Sequence, residues 1–349
     1  MNIASAGLTR PLVLFALVAL NLGIYLLAPA KDSARQTDAL RVGLVLDIGG
    51  LGDKSFNDGA YEGLKAARDQ LGAAIGLVEP GDGGDRESAL RLLAAQGNQL
   101  VLGVGFMFTD DLNRVSADYP GQAFAGVDYS VSFGPDGKPL PPPTNVQALK
   151  FREEEGSYLV GALAGLVTHS KVVGFVGGMD IPLIHKFEAG YRAGVQEVCP
   201  ACTVLAAYAG VTPVAFKDPG KGKELALSQL GQGADILYHA SGSTGLGVFA
   251  AVRERKALAI GVDADQYAEA PGFMLTSMVK RVDRAVLEVS RQVKEGRFTG
   301  GVQTLGLKEG GVDYVYDEHN QALISPEVRA QVEALRQRII QGEIKVPEQ

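Results

Sequence analysis

The sequence predicts an α/β protein with two doubly wound parallel sheets, and three observations support this fold class. Apolar runs that suit buried strands alternate with helix-periodic segments from Arg41 onward. A proline-rich segment, residues 133–144, interrupts the alternation. On each side of it lie enough strand and helix patterns for a separate sheet. The chain of 349 residues is long enough to build two domains with full cores.

The first strand and helix of this pattern carry the clearest site signal. An unbroken apolar run, residues 42–46, suits a strand buried on both faces, and it ends at Asp47. After a glycine-rich loop, apolar residues recur at helical spacing: Phe56, Ala60, Leu64, Ala67 and Leu71. Either Asp53 or Ser55 is expected to cap this helix. Because ligands of open α/β sheets bind beyond the carboxyl ends of the strands, Asp47 and the triplet 55–57 are predicted to lie at a binding site.

Strands in both halves of the chain are predicted to end in acidic or glycine residues, namely Asp47, Gly105, Asp128, Gly178, Gly242 and Asp263. Three of these ends are alike, because an aliphatic residue precedes each aspartate. Two sheets whose carboxyl edges face each other would enclose a cleft, as in hinge-closing binding proteins. The sequence therefore predicts two lobes with a ligand site between them.

Phe56 and Asn57 together suit a planar heteroaromatic ligand. The phenyl ring offers a flat apolar face, and the amide offers both donors and an acceptor. Asp47 is either a ligand acceptor or a helix cap, and Phe56 is alternatively a core residue of its helix. The chemistry of this region therefore stays open on these residues alone.

Asp263 and Lys280 suit a vicinal diol such as that of a ribose. One carboxylate can accept hydrogen bonds from two hydroxyls, and a lysine can donate to the same group. The alternative is a surface ion pair, which would be common and weak. The glycine loop 242–247 follows a predicted strand and begins a helix, but its spacing differs from the dinucleotide fingerprint. It is therefore expected to let the backbone approach a neutral ligand closely.

No catalytic constellation is recognisable, so the chain is not expected to be an enzyme. His239 lies near Ser241 without the G-x-S-x-G frame of a nucleophile elbow. No cofactor and no metal are expected. Cys199 and Cys202, the only cysteines, are expected to form a local disulfide, with a redox pair as the alternative.

The N-terminal residues 1–30 are predicted to be a signal peptide or an N-terminal anchor. Arg10 precedes an uncharged apolar run, 11–30, which ends in a small-x-small pattern at Ala28 and Ala30. The run is also long enough to cross a bilayer uncleaved. We therefore expect an exported protein, periplasmic or at the cell surface. The net charge of −7 argues against nucleic-acid polymers as partners.

Six segments carry a resemblance to a known family, and in chain order they read LDIGGLGDKSFNDGAYEGL, GVGFMFTDDL, FAGVDYSV, FKDPGKGKELALSQLGQGADILYHASGSTGLGVF, AIGVDADQ and MLTSMVKRVDRAV. The chain resembles the basic membrane protein (BMP) family of ABC-transporter substrate-binding proteins, purine nucleoside receptor type, over roughly residues 41–345. The resemblance implies the type I periplasmic-binding-protein fold, in which a three-strand hinge joins the two lobes. The lobes are accordingly expected to comprise 41–147 plus about 266–300, and 148–265 plus about 301–349.

The resemblance also implies contacts with a nucleoside base. The family pattern places Asp47, Phe56 and Asn57 against the nucleoside and matches Asp110 to an aspartate that contacts the base. It matches Phe216 to an aromatic residue that stacks on the other side of the base. Extra residues at 210–215 depart from the family pattern just before Phe216.

For the sugar, the resemblance implies contacts from Asp263 and Lys280, with Gly242 in the glycine loop. The expected function is a monomeric, exported receptor that captures a nucleoside, preferably a purine, and delivers it to ABC permease subunits. A receptor for a sugar or another small metabolite, or an enzyme that processes nucleosides, are the alternatives. No cysteine precedes Cys199, so a lipoprotein anchor is not expected.

Overall fold

The computed structural model describes residues 39–80, 85–134 and 136–349. The predicted targeting segment, residues 1–30, lies outside the described residues. Within the described ranges the strands form two six-stranded sheets and a two-stranded ribbon. The predicted fold class is thereby confirmed.

The first sheet is parallel throughout, with the strand order β13-β7-β4-β3-β1-β2. Its strands are β1 (Arg41–Val45), β2 (Ala74–Val78), β3 (Leu100–Val104), β4 (Ala123–Val127), β7 (Val146–Phe151) and β13 (Gly301–Leu305). The helices of this first lobe are α1 (Phe56–Leu71), α2 (Arg86–Ala95), α3 (Thr109–Asp118) and α8 (Val282–Lys294). Helix α8 packs on α1, far from it in sequence.

The second sheet has the order β14-β12-β11-β10-β8-β9, and β14 alone runs antiparallel to its neighbour among these described strands. Its strands are β8 (Val172–Met179), β9 (Thr203–Gly210), β10 (Ile236–Ala240), β11 (Leu258–Asp263), β12 (Met274–Lys280) and β14 (Val312–Tyr314). The helices of this second lobe are α4 (Glu153–Val167), α5 (Pro182–Val198), α6 (Pro219–Gly231), α7 (Gly245–Arg255) and α9 (Pro326–Ile340).

The chain changes sheet after β7, after β12 and after β13, as far as the described residues go. The predicted lobe boundaries therefore need correction. Strand β12 lies in the second sheet and β13 in the first, whereas the expected division gave about 266–300 to the first lobe and 301–349 to the second. The expected boundary at 147 also falls inside β7. Sheet membership depends on which edge strand is available for pairing, and composition along the chain carries no signal for that choice.

The proline-rich segment stays within the first lobe. It forms the ribbon of β5 (Ser132–Phe133) and β6 (Pro139–Leu140), between β4 and β7 of the same sheet. Prolines prevent a helix or a central strand here, as predicted, but the segment does not join the lobes.

Each lobe buries its central strands on both faces. Leu44 of β1 belongs to a core layer that contains Leu64 of α1, and Val45 belongs to the opposite layer with Leu93 of α2. This two-sided burial explains why the strand is an unbroken apolar run. Burying a side chain such as Leu64 stabilises the fold by about 1.5–3 kcal/mol.

Helices α4 and α5 approach each other closely and support one wall of the interlobe space. A Cβ atom on Gly161 would lie 2.2 Å from the Tyr191 carbonyl oxygen, and one on Gly194 would lie 2.0 Å from that of Tyr158. Only glycine permits this backbone spacing. Cys199 and Cys202 form a disulfide just after α5. Within the described ranges, no helix is both long and apolar enough to cross a membrane.

Candidate ligand-binding site

A cavity lies between the carboxyl edges of the two sheets, and both lobes line it. The first lobe contributes Asp47, Gly49, Phe56, Gly105, Phe106 and Asp128. The second contributes Leu183, Ile184, Phe187, Phe216, Ala240, Ser241, Gly242, Val262, Asp263 and Lys280. Among the predicted site residues, Asp47, Phe56, Phe216, Gly242, Asp263 and Lys280 therefore meet at one cavity.

Asp47 is held by its own lobe. Its Oδ1 accepts a hydrogen bond from the Ile48 N–H at 2.7 Å, and its N–H donates to Asn57 Oδ1 at 3.0 Å. Burial raises the pKa of Asp47 to about 6. A Cβ on Gly105 would come within 2.3 Å of Asp47 Oδ2, so the glycine leaves room for this carboxylate.

Asn57 stands behind Asp47 and is absent from the cavity lining described above. Its Nδ2 donates to Asp53 Oδ2 at 3.0 Å, which uses its amide within the loop. Asp53 also accepts from the N–H groups of Asn57 and Asp58 and is therefore the cap of α1, whereas the Ser55 side chain makes no cap bond. Asn57 therefore positions Asp47, and its predicted contact with a ligand stays a prediction.

Asp110 is likewise placed away from the cavity lining. It lies exposed in the first turn of α3, where its Oδ1 accepts from Ser132 Oγ at 2.7 Å. The motif that predicted Asp110 continues into α3. The first turn of this helix directs the Asp110 side chain toward the ribbon of β5 and β6. Asp128, at the end of β4, lines the cavity from this lobe together with Asp47.

Lys280 is the centre of a buried ionic cluster. Its Nζ lies 2.7 Å from Asp128 Oδ2 and 3.0 Å from Glu153 Oε1, and its side chain is 2% exposed. Glu153 also binds Lys186 Nζ at 2.8 Å. Burial alone would lower the pKa of Lys280, but the nearby carboxylates outweigh it and raise the pKa, so the ammonium stays charged.

The alternative interpretation of Asp263 and Lys280 as a surface ion pair is wrong, because Lys280 is buried and its ion pairs are with Asp128 and Glu153. Asp263 acts on Lys280 only through its charge. The hydrogen-bond partner of Asp263 is instead Ser55, whose Oγ donates to Asp263 Oδ2 from the opposite lobe. Burial raises the pKa of Asp263 to about 6, despite Lys280 and this bond.

Two of the strand-end aspartates adopt a left-handed backbone. Asp128 has a φ of 57° and Asp263 a φ of 66°, which costs energy for residues other than glycine. Asp128 Oδ1 is buried without a hydrogen-bond partner among the described residues. Because Asp128 also lines the cavity, its carboxylate is suited to a ligand O–H or N–H donor.

Aromatic rings reach the cavity from both lobes. Phe56 from the start of α1 and Phe216 from the loop before α6 are both part of the lining. Lys280 Nζ lies 5.0 Å from the centroid of the Phe56 ring, so this ring is also placed by a cation–π contact. The rings can offer flat apolar faces to a bound group.

The glycine loop serves to place Phe216. Ser243 Oγ donates to the Phe216 carbonyl oxygen at 3.1 Å, and Thr244 Oγ1 donates to that of Ala215 at 2.8 Å. Gly242 has a φ of 54°, a conformation that favours glycine. This arrangement agrees with a close backbone approach to the site.

His239 is a structural residue. It is fully buried, its Nε2 lies 3.1 Å from Gln266 Oε1, and its Nδ1 lies 3.3 Å from Ser241 Oγ. Burial lowers its pKa to about 4, so the ring is neutral at physiological pH. Both nitrogens are engaged inside the second lobe.

Sequence reasoning missed several lining residues. Asp128 carried a signal, since it ends a strand like Asp47 and Asp263. Phe106 lies two residues after the end of β3, next to the strand-end residue Gly105, and could have been found by the same rule. Leu183, Ile184 and Phe187 come from the first turns of α5, where nothing in the local pattern distinguishes cavity residues from core residues.

Residues 40–349 match the family model described as "ABC transporter substrate-binding protein PnrA-like" (Bmp). The chain belongs to this family. The family consists of extracytoplasmic solute-binding proteins of ABC transporters, so the chain is a binding protein and not an enzyme.

Individual relatives cover most of the chain. An ABC transporter nucleoside-binding protein from Lactococcus lactis is 32% identical over 88% of this chain and 89% of its own length. An uncharacterized lipoprotein from Pyrococcus horikoshii is 37% identical over 80% of this chain and 69% of its own. This relative is named a lipoprotein, whereas no lipoprotein anchor is expected for this chain.

A solved structure shows the same architecture. The crystal structure of an ABC transporter system solute-binding protein from Aeropyrum pernix is similar, with a TM-score of 0.78 and 32% identity. The match covers 89% of this chain and 94% of the chain in that crystal structure. The periplasmic-binding fold implied by the sequence motifs is thereby confirmed.

Proposed function

We propose that the chain captures a nucleoside, preferably a purine nucleoside, between its lobes and delivers it to the permease subunits of an ABC transporter. The observation that carries the proposal is the cavity itself, which combines four phenylalanines with carboxylates from both lobes. A nucleoside has a flat base to stack on the rings and a diol to donate to the carboxylates. The name of the Lactococcus lactis relative supports the same ligand class.

The charges of the lining favour a ligand that is rich in hydrogen-bond donors. Asp47, Asp128 and Asp263 face the cavity with Lys280 as the cation, and Lys280 is already paired. A neutral nucleoside can donate from its hydroxyls and from base N–H groups. A phosphorylated ligand would add negative charge beside these carboxylates, which is unfavourable at low dielectric.

The ligand class is tested by mass spectrometry of small molecules released when the purified protein is denatured. Calorimetry then follows with adenosine, guanosine, inosine, uridine and galactose on protein that has been unfolded and refolded. We expect a purine nucleoside to bind most tightly. Binding of galactose without any nucleoside would replace the proposal by a sugar receptor.

We further propose that the chain works as an exported monomer, with residues 1–30 acting as a signal peptide or an anchor. N-terminal sequencing of protein from fractionated cells tests the export step. Light scattering coupled to size exclusion tests the monomer. Recovery of the full-length chain in the cytosol would contradict export, and a stable dimer at micromolar concentration would contradict the monomer.

A further inference from the structure

The loop after β11 contains a buried glutamine that bridges the two lobes. Gln266 is 2% exposed and belongs to the second lobe. Its Nε2 donates to the Lys54 carbonyl oxygen at 2.9 Å, and Lys54 lies in the first-lobe loop that leads into α1. Its Oε1 accepts from the Val262 N–H at 2.8 Å. One amide therefore joins the end of β11 to the opposite lobe.

The surroundings fix the orientation of this amide. The Val262 N–H can only donate, so it requires the amide oxygen, and the Lys54 carbonyl can only accept, so it requires the amide nitrogen. His239 Nε2, at 3.1 Å from Oε1, completes the acceptor side. A Cβ on Gly261 would lie 2.8 Å from Oε1, so this glycine leaves space for the amide.

The two loops that Gln266 joins are the ones that carry ligand-site residues. Lys54 precedes Ser55 and Phe56, and Ser55 Oγ donates to Asp263 across the same interlobe boundary. Lys54 itself has a left-handed backbone, with a φ of 56°. Gln266 is not part of the cavity lining, so its bridge acts on the loops and not on a bound molecule.

We infer that Gln266 is a positioning residue that couples lobe closure to the site, because it holds the loop carrying Asp263 against the loop carrying Ser55 and Phe56. This inference rests on the proposed function only for its effect on ligand affinity. The bridge stabilises the conformation in which both loops face the cavity. Its loss lowers the population of that conformation and weakens every ligand by the same factor.

The size of the effect follows from one neutral hydrogen bond. Such a bond contributes about 0.5–1.5 kcal/mol, which corresponds to about a 2- to 12-fold change in an equilibrium constant. A residue that touches the ligand would instead change the affinities of different nucleosides by different factors. The uniformity of the loss separates a coupling role from a contact role.

The test variant is Gln266→Met, which keeps the length of the side chain and removes both hydrogen-bonding atoms. The matched control is Gln229→Met. Gln229 is 3% exposed, and its Nε2 donates to the Phe175 carbonyl oxygen at 2.8 Å within the second lobe. Both variants remove a buried amide, but only Gln266→Met removes a bond between lobes.

Closure is measured without ligand by pulsed EPR between spin labels at Glu62→Cys and Glu224→Cys, whose side chains are 61% and 68% exposed on different lobes. Gln266→Met is expected to shift the distance distribution away from that of the parent. It is also expected to weaken the binding of inosine, guanosine and adenosine by one common factor. Gln229→Met is expected to lower the melting temperature and leave distances and affinities unchanged. If Gln266→Met keeps the parent's distances and affinities, the inference is wrong.

A second variant keeps the test decisive if Gln266→Met does not fold. Gln266→Glu, studied at pH 8, keeps the oxygen that accepts from Val262 and places the other oxygen against the Lys54 carbonyl. It is expected to shift the distances in the same direction, and parent-like distances would overturn the inference. If the parent binds no nucleoside, the proposed function fails, while the ligand-free distances still decide the role of Gln266.

Discussion

Asp47 and Asp263 lie at corresponding places in the two lobes, close to the end of a parallel strand. The hydrogen-bond partners of Asp47 belong to its own lobe, whereas the partner of Asp263 belongs to the other lobe. Asp47 accepts a hydrogen bond from the Ile48 N–H and donates its own N–H to Asn57 Oδ1, both within its own lobe. Asp263 takes its bond from Ser55 of the other lobe. Asp128 resembles Asp263 in this respect, since its ion pair is with Lys280 across the boundary.

One end of the cavity is therefore formed within a single lobe, whereas the other end requires both lobes. The Asp47 end can keep its geometry when the lobes separate. The end with Asp128, Asp263 and Lys280 is assembled only when the lobes meet.

The largest effect is expected from Lys280→Met at the end assembled from both lobes. The change leaves Asp128 buried without its cation and Glu153 with Lys186 alone, and breaking a buried ion pair destabilises proteins by about 3–5 kcal/mol. Urea unfolding measures the loss. The matched control is Lys65→Met, which removes an exposed pair with Glu62 and is expected to change stability by about 0–1 kcal/mol. Equal losses in both variants would mean that the buried cluster is not stabilised by charge.

Asp263→Asn is expected to weaken nucleoside binding by more than about tenfold, because hydrogen bonds to charged groups contribute about 1.5–3 kcal/mol. It should also reduce the preference for a ribonucleoside over its 2′,3′-dideoxy analogue, since a site built for hydroxyls rejects analogues without them. Calorimetry with both ligands measures the two effects.

Asp47→Asn is the comparison variant, and it is expected to leave the ribose preference intact. A parent that binds both ligands equally would remove Asp263 from the sugar site. A loss of preference in Asp47→Asn alone would exchange the roles of the two aspartates.

Phe56→Ala is expected to weaken binding about 5- to 150-fold, because stacking of a base on an aromatic ring contributes about 1–3 kcal/mol. Phe133→Ala is the control, since this ring is 64% exposed on the ribbon. Titration calorimetry of folded variants measures the change. Affinity of Phe56→Ala within twofold of the parent would place the ligand away from this ring.

The smallest effect concerns pH. The pKa values of Asp47 and Asp263 are raised to about 6 by burial, so the folded protein binds these protons more tightly than the unfolded chain. Their favourable contribution is present below about pH 4 and is lost as pH rises through about 6. Replacing either aspartate by asparagine should therefore make the variant more stable relative to the parent as pH increases across this range.

Thermal unfolding of ligand-free parent, Asp47→Asn and Asp263→Asn between pH 4 and 7 measures this difference. The stability of each variant relative to the parent should be more favourable at pH 7 than at pH 4. The opposite slope would show that the carboxylates are stabilised in their charged form by partners in the folded protein.

Local sequence determined the strands, the helices and the chemistry at several strand ends. The apolar run of β1 followed by the helical spacing of α1 depends on residues near one another, so periodicity reveals it. Asp47, Phe56, Asp263 and Lys280 could be proposed from their local positions, whereas Phe216 was proposed from the family resemblance alone. The alternation of strands and helices was likewise enough to predict two parallel sheets.

The tertiary structure decided the partners of these residues. Lys280 and Asp128 are 152 residues apart, and Ser55 and Asp263 are 208 apart, so no local pattern records that they meet. Contacts between segments distant in sequence also place β12 in the second lobe and β13 in the first. They likewise bury Asn57 and form the bridge by Gln266. Periodicity is set by neighbours along the chain, whereas pairing is set by which edges and loops the packed lobes bring together.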